Sequence, residues 1–406
     1  MDVGEVVSGN AVRNQEVAAG NSLLAKLQNF AAKYGMEQRG IEWVPEDKRE
    51  DTSVFRMGTM WFSCNMAVTS FVMGAVAVPV FGLGFVDSVL VILLFNIVGA
   101  LPVALFSAFG AKFGLRQMVL SRFFFGYYMA KPRWAGVLLV ILLTFLVGLF
   151  GYRIVHAYER WAWLPCMAVL VIVLGVFAHS GRFDDLLPLS TGSAEASSVL
   201  SYSTAIYGYM AGWCSFAADY SVYQPSIRPA RSIFVWSFAG LYTSTVFCEL
   251  LGAAVATAIV GDEDYLGACS DSGVGGLLSA VLSPVLGRFG DVCIVVLALS
   301  IIATTCPVVY SVSFSLQALS KSTQRVPRFL WTAVGVCVCV AIAVPAYDGF
   351  SSWLENLVLV TGYWTSLYIG ILIPEHFVFR RSFSAYNLGD YVSPEKLPPG
   401  AGTRVR

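Results

Sequence analysis

"KPRWAGVLLVILLTFLVGLFGYRIVHAYER", residues 131–160, holds one uncharged apolar run from Trp134 to Tyr152, with Lys131 and Arg133 before it and Arg153 and Arg160 after it. Positive charge beside a membrane span marks its cytoplasmic end, so this single run carries two such ends. The orientation of everything after it depends on how that conflict is resolved.

The chain around it is that of a membrane protein. Of 406 residues 57% are hydrophobic and 13% charged, and the mean hydropathy is +0.68. A soluble domain could not cover its surface with so few polar groups. Formal net charge is zero, and no basic block suggests nucleic acid. Eight of the nine cysteines (Cys64, Cys166, Cys214, Cys248, Cys293, Cys306, Cys337, Cys339) lie inside apolar runs, where they act as small hydrophobes rather than a disulfide framework. The first 56 residues are polar and hold no apolar core with a cleavage site, which predicts a cytosolic tail over 1–56.

Nine stretches are long and apolar enough to span: 57–84, 88–111, 134–152, 161–180, 197–220, 232–260, 290–320, 329–347 and 353–374. Runs of this kind cross lipid only as helices, which predicts an all-α polytopic protein with a transporter domain over 57–378 and a cytoplasmic segment over 379–406. Basic residues crowd the amino-terminal tail, the loop 112–133 (Lys112, Arg116, Arg122), the loop 219–231 (Arg228, Arg231) and the loop 321–328 (Lys321, Arg325, Arg328). By contrast 82–87, 261–275 and 347–352 hold acids and no Lys or Arg. Those three are expected as outside loops and the amino terminus as inside. Only 134–152 breaks the alternation. Either it is re-entrant or misoriented, or one span is missing just before Trp134.

Six strings, "GIEWVPEDKRED" at 40–51, "GAKFGLRQMVLSRFFFGYY" at 110–128, "GYRIVHAYERW" at 151–161, "GWCSFAADYSVYQP" at 212–225, "GYW" at 362–364 and "EHFVFRR" at 375–381, together resemble the fungal purine-cytosine permeases of the nucleobase:cation symporter family. The resemblance runs from about residue 38 to 399. It implies a five-helix inverted-repeat transporter fold of twelve spans, in which case this chain is incomplete, with about nine. Where the family passes through a third span, "YYMAKPRWAG" makes the jump in a few residues, and after "NLGDYVSPEKLPPGAGTRVR" the last two spans are lacking. A skipped exon or a misread gene of about 30 residues would remove one span.

In such carriers the first helix of each repeat is broken near mid-membrane, and here those helices are 57–84 and 197–220. The resemblance places Trp213 as the ring that stacks on a planar base, Ser70 in the same cavity, and Thr304, Thr305 and Pro307 where the family has base-reading Asn residues. Each has a structural alternative: an interfacial Trp, a Ser bonded to its own helix, a Pro kink padded by Thr. Glu159 matches a family glutamate tied to transport, with a surface ion pair to Arg160 or Arg153 as its alternative. Asp219 is expected as a gate at the inner end of its span. Glu249 stands mid-span, as a proton carrier or a locally bonded neutral acid. The implied activity is import of a purine or cytosine base by proton symport across the plasma membrane, with the lipid bilayer and a small heterocycle as partners and no cofactor. A pyridoxine-like vitamin is the alternative substrate, and a truncated isoform that does not transport is the alternative role. No His/Asp or Ser/Lys constellation suggests an enzyme.

Overall fold

The computed structural model describes residues 40–49, 51, 53–125, 152–185, 191–335, 337, 350–392 and 397. We label its long helices α1 (Phe55–Asn65), α2 (Val68–Ala75), α3 (Phe85–Phe113), α4 (Tyr152–Ser180), α5 (Ser193–Ala211), α6 (Ala230–Ala256), α7 (Glu263–Leu286), α8 (Arg288–Ala318) and α9 (Phe350–Pro374). The run 134–152 lies outside the described residues except for Tyr152, as does most of 329–347.

Six helical stretches among the described residues are long and apolar enough to cross a membrane: Phe85–Phe113, Tyr158–Ser180, Ala230–Gly261, Glu263–Leu286, Arg288–Ala318 and Leu354–Arg380. Two further expected spans are present but interrupted. The stretch 57–84 divides into α1 and α2, with Ala67 fully extended between them (φ −144°, ψ 159°). The stretch 197–220 is α5 followed by two 3₁₀ turns, Gly212–Ser215 and Ala217–Tyr220, hinged at Phe216 (φ −151°, ψ 14°).

The acidic loop expected over 261–275 is corrected by α7. Its acids sit in the first turn, where they suit the positive helix end, and Asp262 caps it by accepting from the amides of Asp264 and Tyr265. Apolar and small residues then continue the helix to Leu286. Yet α7 does not run straight: Ser272 and Gly273 leave helical geometry, Gly273 at φ 60°. A Cβ placed on Gly276 would fall on the Ala268 carbonyl. In a straight helix residues eight apart stand about 12 Å apart along the axis, so α7 folds back as a hairpin. It therefore joins α6 to α8 as two arms rather than as one straight helix.

Packing is closest where glycines remove side chains. A Cβ on Gly74 of α2 would fall on the Glu249 carbonyl of α6, and one on Gly252 of α6 on the Phe71 carbonyl of α2. Small residues that let backbones touch in this way are the usual means of helix association in lipid.

At the basic end of the bundle, the segment 40–53 closes the last turn of α3. Helix ends leave carbonyls without partners. Here Arg49 donates to Ala111 O at 2.8 Å, Trp43 Nε1 to Phe113 O at 3.0 Å and the Val44 amide to Gly114 O at 2.9 Å. Gly114 itself takes the left-handed conformation (φ 62°) that ends the helix. The carboxy-terminal residues Tyr386, Tyr391 and Leu397 are buried in the same cluster, against Phe109, Phe113 and Phe123.

Candidate functional site

The break between α1 and α2 frees backbone groups inside the bundle, and α8 satisfies them. The Val68 amide donates to Ser300 Oγ at 2.9 Å, and Thr304 Oγ1 donates to Cys64 O at 2.9 Å. Thr304 also meets Thr69 Oγ1 at 3.2 Å. Thr305 is turned elsewhere, donating to Ile301 O of its own helix at 2.8 Å. The structure therefore brings Thr304 to the break and leaves Thr305 on the α8 ladder. Pro307 is buried on α8, and its carbonyl accepts from the Tyr220 hydroxyl. That contact joins α8 to the second interrupted span.

Trp213 sits in the first 3₁₀ turn, 4% exposed. Its ring is held edge-to-face by Trp61 at 5.5 Å and by Phe216 at 5.4 Å, and its Nε1 donates to Asn65 Oδ1 at 3.1 Å. Asn65 is the last residue of α1; its Nδ2 donates to Trp61 O at 3.0 Å. Ser70 is fully buried at the start of α2, where its hydroxyl donates to Asn65 O at 2.7 Å and meets the Tyr209 hydroxyl at 2.9 Å. Tyr209 in turn donates to Thr69 at 3.2 Å. One connected polar network thus ties the broken first helices of both repeats to α8, with an indole at its centre.

Asn65, Tyr209, Thr69 and Ser300 belong to this network and were not singled out from the sequence. Asn65 alone carried a signal, as an amide inside an apolar run, where a polar side chain is expensive unless partnered. The other three look like ordinary membrane-helix hydroxyls until the fold brings them together.

Glu159 is fully buried in α4, while the neighbouring Arg160 is exposed. Ser63 and Cys64 of α1 stand beside its carboxyl, at the helix's negative end, where a second negative charge is unfavourable. Among the described residues no donor reaches either oxygen at good hydrogen-bond geometry. Asp219 lies at the basic end, its Oδ1 accepting from the Gln117 amide at 2.8 Å and its carbonyl from Arg116 Nη1 at 2.8 Å. Gln117 extends this contact, accepting from the Ala218 amide at 3.0 Å and donating to the Tyr368 hydroxyl at 2.6 Å. Arg116 lies 4.0 Å from the centre of the Phe314 ring. A layer of buried side chains therefore separates the Trp213 site from the basic end. Glu249 lies apart from both, on the α3–α6 contact, accepting from Asn96 Nδ2 at 2.5 Å.

The profile of the family described as "Permease for cytosine/purines, uracil, thiamine, allantoin" matches residues 43–142 and 127–401, two pieces that overlap within 127–142. The purine-cytosine permease fcyB of Emericella nidulans is 44% identical over 432 aligned positions, covering 98% of this chain and 84% of that one. Since 98% of 406 residues is about 398, about 34 positions of that relative face a gap here. A purine-cytosine permease of Saccharomyces cerevisiae is 39% identical over 418 positions, covering 94% of this chain and 78% of that one. The vitamin B6 transporter of the same yeast is 27% identical, over 94% of this chain and 73% of that one. Among solved structures, a nucleobase-cation-symport-1 family transporter, Mhp1, in a closed conformation superposes with a TM-score of 0.66 at 12% identity, over 87% of this chain and 84% of that one. Its inward-facing form gives 0.57.

Proposed function

Because the chain belongs to the family of permeases for cytosine and purines, uracil, thiamine and allantoin, we propose that it is built as a carrier of purine- or cytosine-type bases, moving them inward across the plasma membrane with a proton once the span absent before Trp134 is supplied, its amino terminus in the cytosol. The observation that carries this reading is the indole of Trp213, fixed by Asn65 at the α1–α2 break. A rigid aromatic face suits a flat ring, on which such a ring can stack. Asp219, Gln117, Arg116 and Tyr368 form the closed gate on the basic side, and Glu159 and Glu249 are the coupling candidates. Amides at the family's Asn positions are replaced by Thr304 and Thr305, which keep hydrogen-bonding ability but lose the paired donor and acceptor that reads one base edge. Discrimination between individual bases is therefore expected to be weak.

The same reading holds that one span is absent before Trp134. Its support is the double positive flank of 134–152 and the two-piece family match, whose pieces overlap there.

A competition assay tests the substrate class. Purified chain in lipid nanodiscs is equilibrated with labelled adenine and challenged with unlabelled cytosine, hypoxanthine or pyridoxine. Displacement by the two bases and none by pyridoxine is the expected result. Displacement by pyridoxine alone would replace the base by a vitamin-type ring.

A further inference from the structure

Glu249 and Asn96 face one another inside the bundle, both fully buried. The Asn96 amide has two N–H donors; one goes to Ile92 O at 2.9 Å and the other to Glu249 Oε2 at 2.5 Å. Its donor capacity is then spent. What remains at the contact is Asn96 Oδ1 and Glu249 Oε1, two buried acceptors with no partner among the described residues. As a carboxylate, Glu249 would also be an unpaired buried charge, which is far more costly than an unsatisfied neutral group. A single proton on Oε1 removes both problems, because the acid O–H can donate to the amide oxygen while the amide N–H donates back.

Among the described residues the surroundings offer no other solution. The titratable groups facing Glu249 are Tyr202 and Tyr209 of α5 and Cys248 of its own helix. The Tyr202 hydroxyl is committed to Met73 O at 3.1 Å and that of Tyr209 to Thr69 at 3.2 Å, both on α2. From α2 itself Glu249 meets backbone, at Gly74. Among the described residues no Lys, Arg or His contributes to its electrostatics.

We propose that Glu249 and Asn96 form a proton-binding site, a carboxylic acid–amide pair closed by two reciprocal hydrogen bonds. The pair lies on the α3–α6 contact, and the backbone of Glu249 touches Gly74, near the end of α2 opposite the α1–α2 break. When water reaches the carboxyl, the proton leaves Oε1 for water and the carboxylate becomes solvated. A role in coupling rests on the transport reading above; the proton site itself does not.

The test is infrared spectroscopy of the purified 406-residue chain in nanodiscs at neutral pH, in H2O and D2O. A protonated carboxyl gives a C=O stretch set apart from carboxylate and amide bands, and it shifts on deuteration. The expected result is that Glu249→Gln, which keeps the shape and both hydrogen bonds, removes a component of that band. Asn96→Leu, which leaves the carboxyl in place, should keep that component but move it to the frequency of an acid without an amide partner. A parent spectrum unchanged by Glu249→Gln would overturn the proposal, and an unmoved band in Asn96→Leu would overturn the pairing. If the band behaves as expected while no base binds to the parent chain, the proton site stands and the transport reading falls.

Discussion

Gly74→Val is expected to abolish recovery of folded protein, while Gly175→Val leaves it unchanged. A side chain at Gly74 would overlap the Glu249 main chain, and backbone in the middle of a helix cannot yield as a flexible side chain can. Overpacking a tight contact costs about 1–3 kcal/mol when neighbours can move. Here the reciprocal contact of Gly252 with the Phe71 carbonyl blocks the sliding that would relieve it, so the cost belongs at or above the top of that range. Gly175, on α4, has nothing within 4 Å of the same position. Fluorescence-detected size-exclusion of tagged chains, with thermal midpoints for those that elute as single peaks, separates the two cases. A monodisperse Gly74→Val protein of parental midpoint would show that α2 does not pack on α6 as described.

The second large effect is at Trp213. Removing a stacking platform costs on the order of 1–3 kcal/mol per base, so Trp213→Ala should weaken base binding by about fivefold to 150-fold. The buried indole also holds Asn65 Oδ1 and packs on Trp61 and Phe216, so part of any loss could come from a disturbed break. Trp213→Phe separates the two: it keeps a stacking ring and gives up only the Nε1 donor to Asn65. Binding to Trp213→Phe should fall well short of the alanine loss. Equal losses in both variants would assign Trp213 a role in holding α1 rather than in meeting the base. Unchanged affinity for adenine, cytosine and hypoxanthine in Trp213→Ala would remove it from the site.

Much of this architecture is legible in the sequence, because lipid admits few alternatives. Apolar runs of about 20 residues must be helices there, and α3, α6, α8 and α9 fall close to where hydropathy puts them. The breaks at Ala67 and Phe216 were suggested by small residues and by the family resemblance. Their chemistry was not, since it depends on which hydroxyls of α8 and α5 arrive opposite them. Ser300 and Thr304 meet orphaned backbone groups, whereas Thr305, one residue on, does not. A helix turns by about 100° per residue, and only the rotational setting of α8 decides between neighbours. The hairpin α7 was hidden for a different reason. Its acids cluster in the first turn, so a charge-based reading assigns them to a loop, although at a helix start they stabilise the helix. Resemblance singles out Glu159, and the sequence leaves a surface ion pair with Arg160 or Arg153 open; the fold puts the carboxylate inside and Arg160 outside.

The measurement that bears most directly on the whole account is uptake of labelled adenine, cytosine and hypoxanthine by permease-deficient fungal cells. They would express either the 406-residue chain or the same chain with a membrane helix of about 30 residues from the Emericella permease inserted after Tyr128. Without that segment the run 134–152 must either fail to cross or invert everything beyond it, placing Arg228, Arg231, Lys321, Arg325 and Arg328 on the wrong side. The account predicts saturable, protonophore-sensitive uptake from the restored chain and none above empty vector from the chain as it stands. Equal uptake from both, abolished by the protonophore, would contradict it.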